Sequence, residues 1–120
     1  MIFKHPGLYI DKSPVHGWGL FTKEDINKGD LIEESPMASI TNINNDYKVI
    51  LDHLMRYPKP ENDSILWFIP TGYSIHLNRS DNPNVKWNIN EETFVMSLYA
   101  TRDIKENEEL FIIYQFEKQK

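Results

Sequence analysis

The stretch Leu20-Phe21-Thr22-Lys23-Glu24-Asp25-Ile26-Asn27-Lys28-Gly29 returns near the far end of the chain as Leu98-Tyr99-Ala100-Thr101-Arg102-Asp103-Ile104-Lys105-Glu106-Asn107. In each copy an aromatic strand end leads into Asp-Ile and then into Gly or Asn, the two residues that most easily adopt a left-handed conformation. An acidic residue and a new apolar strand follow, Asp30-Leu31-Ile32 in the first copy and Glu108-Glu109-Leu110 in the second. Each copy reads as strand, tight connection, strand. Ordinary turn chemistry can recur without meaning, but matched positions in the same order favour one turn built twice. Two copies this far apart are too few for a solenoid. They predict a pseudo-symmetric β unit with other material inserted between its halves.

Working outward, short apolar runs bounded by turn residues predict strands over Leu8–Asp11, Gly19–Thr22, Leu31–Glu33, Ser64–Phe68, Val85–Asn88, Thr93–Tyr99 and Leu110–Tyr114. A single helix is predicted over Asp46–Tyr57, where Tyr47, Ile50, Leu51 and Leu54 fall at helical spacing and Pro58 stops the run. Pro58–Asp63, with two prolines and an Asn-Asp pair, reads as a surface loop. The fold class is therefore mainly β with one short helix.

At 120 residues the chain has room for one hydrophobic core, so one domain over 1–120 is the expectation. Hydrophobic residues at 40% against 26% charged can close that core and do not match a disordered composition. The longest purely apolar run, Leu66–Ile69, falls far short of the roughly 20 residues that cross a bilayer. The first residues lack the pattern of a signal peptide, which sets the expectation of an intracellular, non-secreted protein. No cysteine is present, and His5, His16, His53 and His76 show no metal-binding spacing, so no metal is expected. A net charge of −5 argues against nucleic acid as the main partner and suits a basic peptide better.

Three segments carry chemistry. They are Gly17-Trp18-Gly19-Leu20-Phe21 with Asp25-Ile26-x-Lys28-Gly29-Asp30-Leu31-Ile32-Glu33-Glu34; Asn78-Arg79-Ser80-Asp81-Asn82-Pro83-Asn84; and Glu108-Glu109-Leu110-Phe111-Ile112-Ile113-Tyr114. In this order they resemble the SET domain family of protein lysine methyltransferases, whose corresponding motifs are G-x-G-L-F-A…I-x-K-G-E-L-I-x-E, N-H-S-x-x-P-N and G-E-E-L-x-x-x-Y. The resemblance covers nearly the whole chain. It implies the β-clip fold of several small sheets, with the repeat as its pair of related β units. It also implies a C-terminal strand that threads near the Asn78 segment as a pseudoknot.

The resemblance further implies S-adenosylmethionine as methyl donor and a lysine of a protein, conceivably histone, as acceptor. Gly17 and Gly19 would let the backbone approach the amino-acid end of the cofactor while Trp18 packs alongside. Asn78 would meet the ammonium end, and the backbone of Arg79 the adenine edge. Tyr114, a poor base with a phenol near pKa 10, would orient the lysine amine. Trp87 would wall the lysine channel with Tyr114, and Phe116 would cover the adenine. Taken without the resemblance, a glycine-flanked turn, a core tryptophan and a strand-end tyrosine are equally ordinary structural residues.

Departures from the pattern bear on activity. Arg79 stands where the family has histidine, exchanging a planar donor and acceptor for a permanently charged donor, which puts catalysis in question. Ser35-Pro36 stands where many relatives have an aromatic residue, and the absence of cysteine from these 120 residues sets the expectation of a minimal, metal-free form of the family. The alternative reading is a degenerate SET domain or β-clip module that binds protein or cofactor without catalysis. A homodimer would supply the surface that so small a chain lacks for shielding both cofactor and peptide.

Overall fold

The computed structural model describes residues 2–40, 55–59 and 64–113. In chain order its strands are β1 (Phe3–Lys4), β2 (Leu8–Lys12), β3 (Trp18–Thr22), β4 (Leu31–Ile40), β5 (Met55–Lys59), β6 (Ser64–Pro70), β7 (Asn78–Arg79), β8 (Val85–Asn90), β9 (Val95–Ala100) and β10 (Glu109–Ile112). A 3-10 turn over Tyr73–His76 leads into β7. Among the described residues one sheet runs β5-β6-β4-β9-β8, with β1 also paired to β4, and a second runs β2-β3-β10-β7. No helix among them is long and apolar enough to cross a membrane.

The two copies of the repeat meet face to face and exchange their hydrogen bonds. Ile26 N–H donates to Ile104 O and Ile104 N–H to Ile26 O, both at 2.8 Å. Asp103 Oδ1 accepts from Lys28 N–H at 2.8 Å, and Asp25 Oδ1 accepts from Glu106 N–H at 2.9 Å. Gly29 N–H reaches Ala100 O in one direction, and Asn107 N–H reaches Thr22 O in the other. Within each turn an acidic side chain caps a backbone amide, Asp30 that of Asn27 and Glu108 that of Lys105. Gly29 at φ +91° and Asn107 at φ +67° occupy the left-handed region, as the sequence pattern requires. The strand that leaves each turn therefore pairs with the strand that enters the other: Leu31 lies opposite Tyr99, and Glu109 opposite Phe21.

Leu20, Ile26, Leu98, Ile104 and Leu110 are all fully buried, so the clasp is also the centre of the core. Ile32 and Met96 extend it into the larger sheet. Glu108 sits at its rim. Partial burial pushes its carboxyl up, but the Lys105 N–H and the Arg102 guanidinium at 2.9 Å outweigh this and hold it below the ordinary glutamate value.

Three expectations are corrected. Of the helix predicted over Asp46–Tyr57, residues 46–54 lie outside the described residues, but Met55–Tyr57 are in β5, paired with Phe68, Trp67 and Leu66 of β6. Pro58 and Lys59 continue that strand instead of opening a loop. Among the described residues β5 ends its sheet, a position that tolerates Pro58 because a second neighbour does not call on its missing N–H. β9 starts at Val95, later than predicted, because Asn90 Oδ1 accepts from Glu92 and Thr93 N–H and folds residues 91–94 into the β8–β9 turn.

The reciprocal clasp predicts matched losses. Asp25→Ala and Asp103→Ala should each lower stability by about 1 kcal/mol in urea denaturation, since each removes one cap of the same kind. A loss confined to one variant would contradict the symmetry.

Candidate functional site

β7 is only two residues long, and it is held by β10, which runs parallel to it with Asn78 beside Phe111 and Arg79 beside Ile112. Ser80 N–H continues the pairing to Ile112 O at 3.0 Å. Asn84, fully buried, locks the return of this loop. Its side chain accepts from Phe111 N–H at 2.7 Å and donates to Glu109 O at 2.9 Å, while its own N–H donates to Phe111 O. One side-chain amide thus substitutes for a strand neighbour. The C-terminal strand is clasped between β3 and the Asn78 segment, the strand arrangement of the pseudoknot that the resemblance implied.

On the other side of β10 lies the loop that enters β3. Ser13 N–H donates to Gly17 O at 2.7 Å, and Ser13 Oγ accepts from Val15 and His16 N–H, which closes the loop on itself. Gly17, at φ +48°, provides the left-handed turn. Ser13 Oγ also donates to Glu109 Oε1 at 2.8 Å. The second oxygen of Glu109 accepts from Asn78 Nδ2 at 2.9 Å, and that nitrogen further lies 2.9 Å from His16 O and 3.3 Å from Trp18 O. Glu109 is 7% exposed, while Trp18 beside it is 55% exposed.

The structure therefore brings Gly17, Trp18, Gly19 and Asn78 together, with Glu109 as the joint between them. Gly19 is adjacent to β10 for a reason other than a ligand's approach: a Cβ there would collide with the Glu109 carboxylate and lie 3.1 Å from Ser13 Cβ. Arg79 is exposed and lines an open hollow with Ser80, Asp81 and Ile113. Trp87 sits in the other sheet, on the inward face of β8, 7% exposed within the core cluster. An open hollow lined also by Lys28, Lys86 and Tyr99 borders it. Tyr114 and Phe116 lie outside the described residues.

Sequence reasoning missed Glu109, Ser13 and Glu33. A bulge in β4 between Leu31 and Glu33 breaks the alternation, so Ile32 and Glu33 are both fully buried. Glu33 then accepts from Tyr73 N–H at 2.7 Å, from Ser74 N–H at 3.1 Å and from the Ser74 hydroxyl. A Cβ on Gly72 would lie 2.7 Å from this carboxylate. Glu33 thereby fixes the 3-10 turn that delivers Asn78. Ser35 is fully enclosed, and its hydroxyl meets no hydrogen-bond partner among the described residues. Among those residues, no group of His, Asp and Glu side chains could hold a metal.

This architecture matches known proteins. The sequence pattern of the SET domain matches residues 17–115. The chain belongs to the SET domain family, a family of methyltransferases. It is 33% identical over 95% of its length to the mouse protein named histone-lysine N-methyltransferase, H3 lysine-36 specific, and equally to the human protein of that name. It spans only 5% and 4% of those relatives. A crystal structure of a proposed histone methyltransferase of Plasmodium falciparum superposes with a TM-score of 0.72 at 32% identity, covering 99% of this chain and 100% of that one.

The contact between Gly19 and Glu109 predicts unequal glycine substitutions. Gly19→Ala should cost about 1–3 kcal/mol in chemical denaturation, as overpacking does, and more than Gly17→Ala, which strains one turn with nothing within 4 Å of its Cβ.

Proposed function

We propose that this chain transfers a methyl group from S-adenosylmethionine to the side-chain amine of a lysine in a protein of the histone class. The observation that carries the reading is the ring of oxygens around Asn78 Nδ2: His16 O, Trp18 O and Glu109 Oε2. With its nitrogen held by those oxygens, the amide leaves Oδ1 as an acceptor close to a buried carboxylate, which suits a cationic ligand, and S-adenosylmethionine carries both an ammonium and a sulfonium. Gly17, Trp18, Gly19 and Asn78 would hold its amino-acid end. The exposed indole of Trp18 offers a flat apolar surface alongside. The backbone of Arg79 would meet the adenine edge, while its exposed side chain would keep its charge apart from the sulfonium it would repel. Phe116 would cover the adenine.

When bound, the cofactor supplies an electrophilic methyl group, and what remains for the protein is positioning. Tyr114 would direct the neutral lysine amine by hydrogen bonding, and Trp87 would support the aliphatic stem. The acidic balance of the chain, net −5, favours a basic peptide. The mouse and human relatives, named for lysine 36 of H3, support histone as the substrate class. Arg79 in place of histidine supports a second reading, a SET domain that holds cofactor without turnover.

Calorimetric titration with S-adenosylmethionine, followed by mass spectrometry of basic peptides incubated with the loaded protein, separates these readings. Saturable binding and a 14 Da gain on a lysine is the expected outcome. Tyr114→Phe should bind cofactor equally and lose about 100-fold or more in rate. Binding without transfer would establish the second reading, and no binding at millimolar cofactor would overturn both.

A further inference from the structure

We propose that Glu109 is a positioning residue for the cofactor, acting through Asn78: its carboxylate fixes the Asn78 amide with Nδ2 turned inward and Oδ1 left to meet the ligand's ammonium. The inference rests on the cofactor site proposed above. Among the described residues, the partners of Nδ2 are two backbone carbonyls and a carboxylate, none of which donates a hydrogen bond. The reversed amide would set Oδ1 against three acceptors, so only one orientation is chemically allowed.

Of those three acceptors, Glu109 is the one a side-chain change can alter. Its own geometry is fixed from the other end, where the Ser13 hydroxyl donates to Oε1 at 2.8 Å. That hydroxyl is itself held, since Ser13 Oγ accepts from Val15 N–H at 3.0 Å and His16 N–H at 3.3 Å. Gly19 leaves the space the carboxylate occupies. A glutamine at this position can present an NH2 to Asn78, which removes one of the three acceptors that hold Nδ2 inward and weakens the preference against the reversed amide, whose two hydrogens would face an ammonium. The sequence 13–19, Asn78 and Glu109 thus form one device in which the buried glutamate sets the polarity of the exposed face.

The test is a double-mutant cycle on the full chain, with S-adenosylhomocysteine as the probe because it keeps the ammonium and lacks the sulfonium. Affinities are read by calorimetry for wild type, Glu109→Gln, Asn78→Ala and the double variant, with thermal melts to establish that each is folded. Each single change is expected to weaken binding about tenfold, and the double variant to bind no more weakly than Asn78→Ala alone. Glu109→Asp, which keeps an acceptor but draws it back from Asn78, should show a smaller loss that also vanishes in the Asn78→Ala background. It carries the cycle if Glu109→Gln does not fold. Additive losses, or no loss in Glu109→Gln, would overturn the positioning role and leave the cofactor site standing. A wild-type protein that does not bind the probe at millimolar concentration would overturn both.

Discussion

The mutual pairing of Ile26 and Ile104 is the contact on which the rest of this structure depends. Both residues are fully buried and each gives its N–H to the other's carbonyl. Around them the two turns exchange caps and strand partners, so that neither half can close its backbone hydrogen bonds without the other. Because the halves lie at opposite ends of the sequence, this contact brings β10 against β3. That adjacency is what lets Glu109 stand next to Ser13 and Gly19 at all.

Buried polar groups then do what apolar packing cannot, which is to fix orientation. Asn84, Glu109 and Glu33 are each enclosed and each hydrogen-bonded, consistent with the high cost of leaving such groups unpaired. Asn84 bonds to β10 through main-chain and side-chain atoms. Glu33 anchors the turn before Asn78, and Glu109 ties Asn78 to the glycine loop. A glycine stands against each glutamate, Gly72 against Glu33 and Gly19 against Glu109, because a Cβ would displace the carboxylate. Close approach of backbone to a buried acid, as well as to a ligand, is therefore a reason for glycine in this fold.

Much of this was legible in the sequence. The repeated turn, its left-handed Gly29 and Asn107, and the strands around it followed from local chemistry, since each rests on residues close in the chain. The three motifs brought Gly17, Trp18, Gly19 and Asn78 into one hypothesis, and the fold places them together. What was not legible is non-local. The bulge that turns Glu33 inward leaves no mark in an alternating pattern, and Glu109 reads as an outward residue when Leu110 and Ile112 define the core face. Met55–Tyr57, placed at the end of the predicted helix by the spacing of Tyr47, Ile50, Leu51 and Leu54, pair instead with β6, a case of tertiary partners overriding local preference. The catalytic assignment of Tyr114 and the adenine cover of Phe116 rest on family resemblance.

Whether the loop 13–19, Asn78 and Glu109 form the proposed cofactor seat can be read from amide and side-chain NMR of the labelled protein during titration with S-adenosylhomocysteine. The largest shifts are expected at Gly17, Trp18, Gly19, Arg79 and the Asn78 side-chain NH2, with the β8–β9 turn undisturbed. Shifts centred instead on the hollow of Lys28, Lys86 and Tyr99, with Asn78 unmoved, would contradict it.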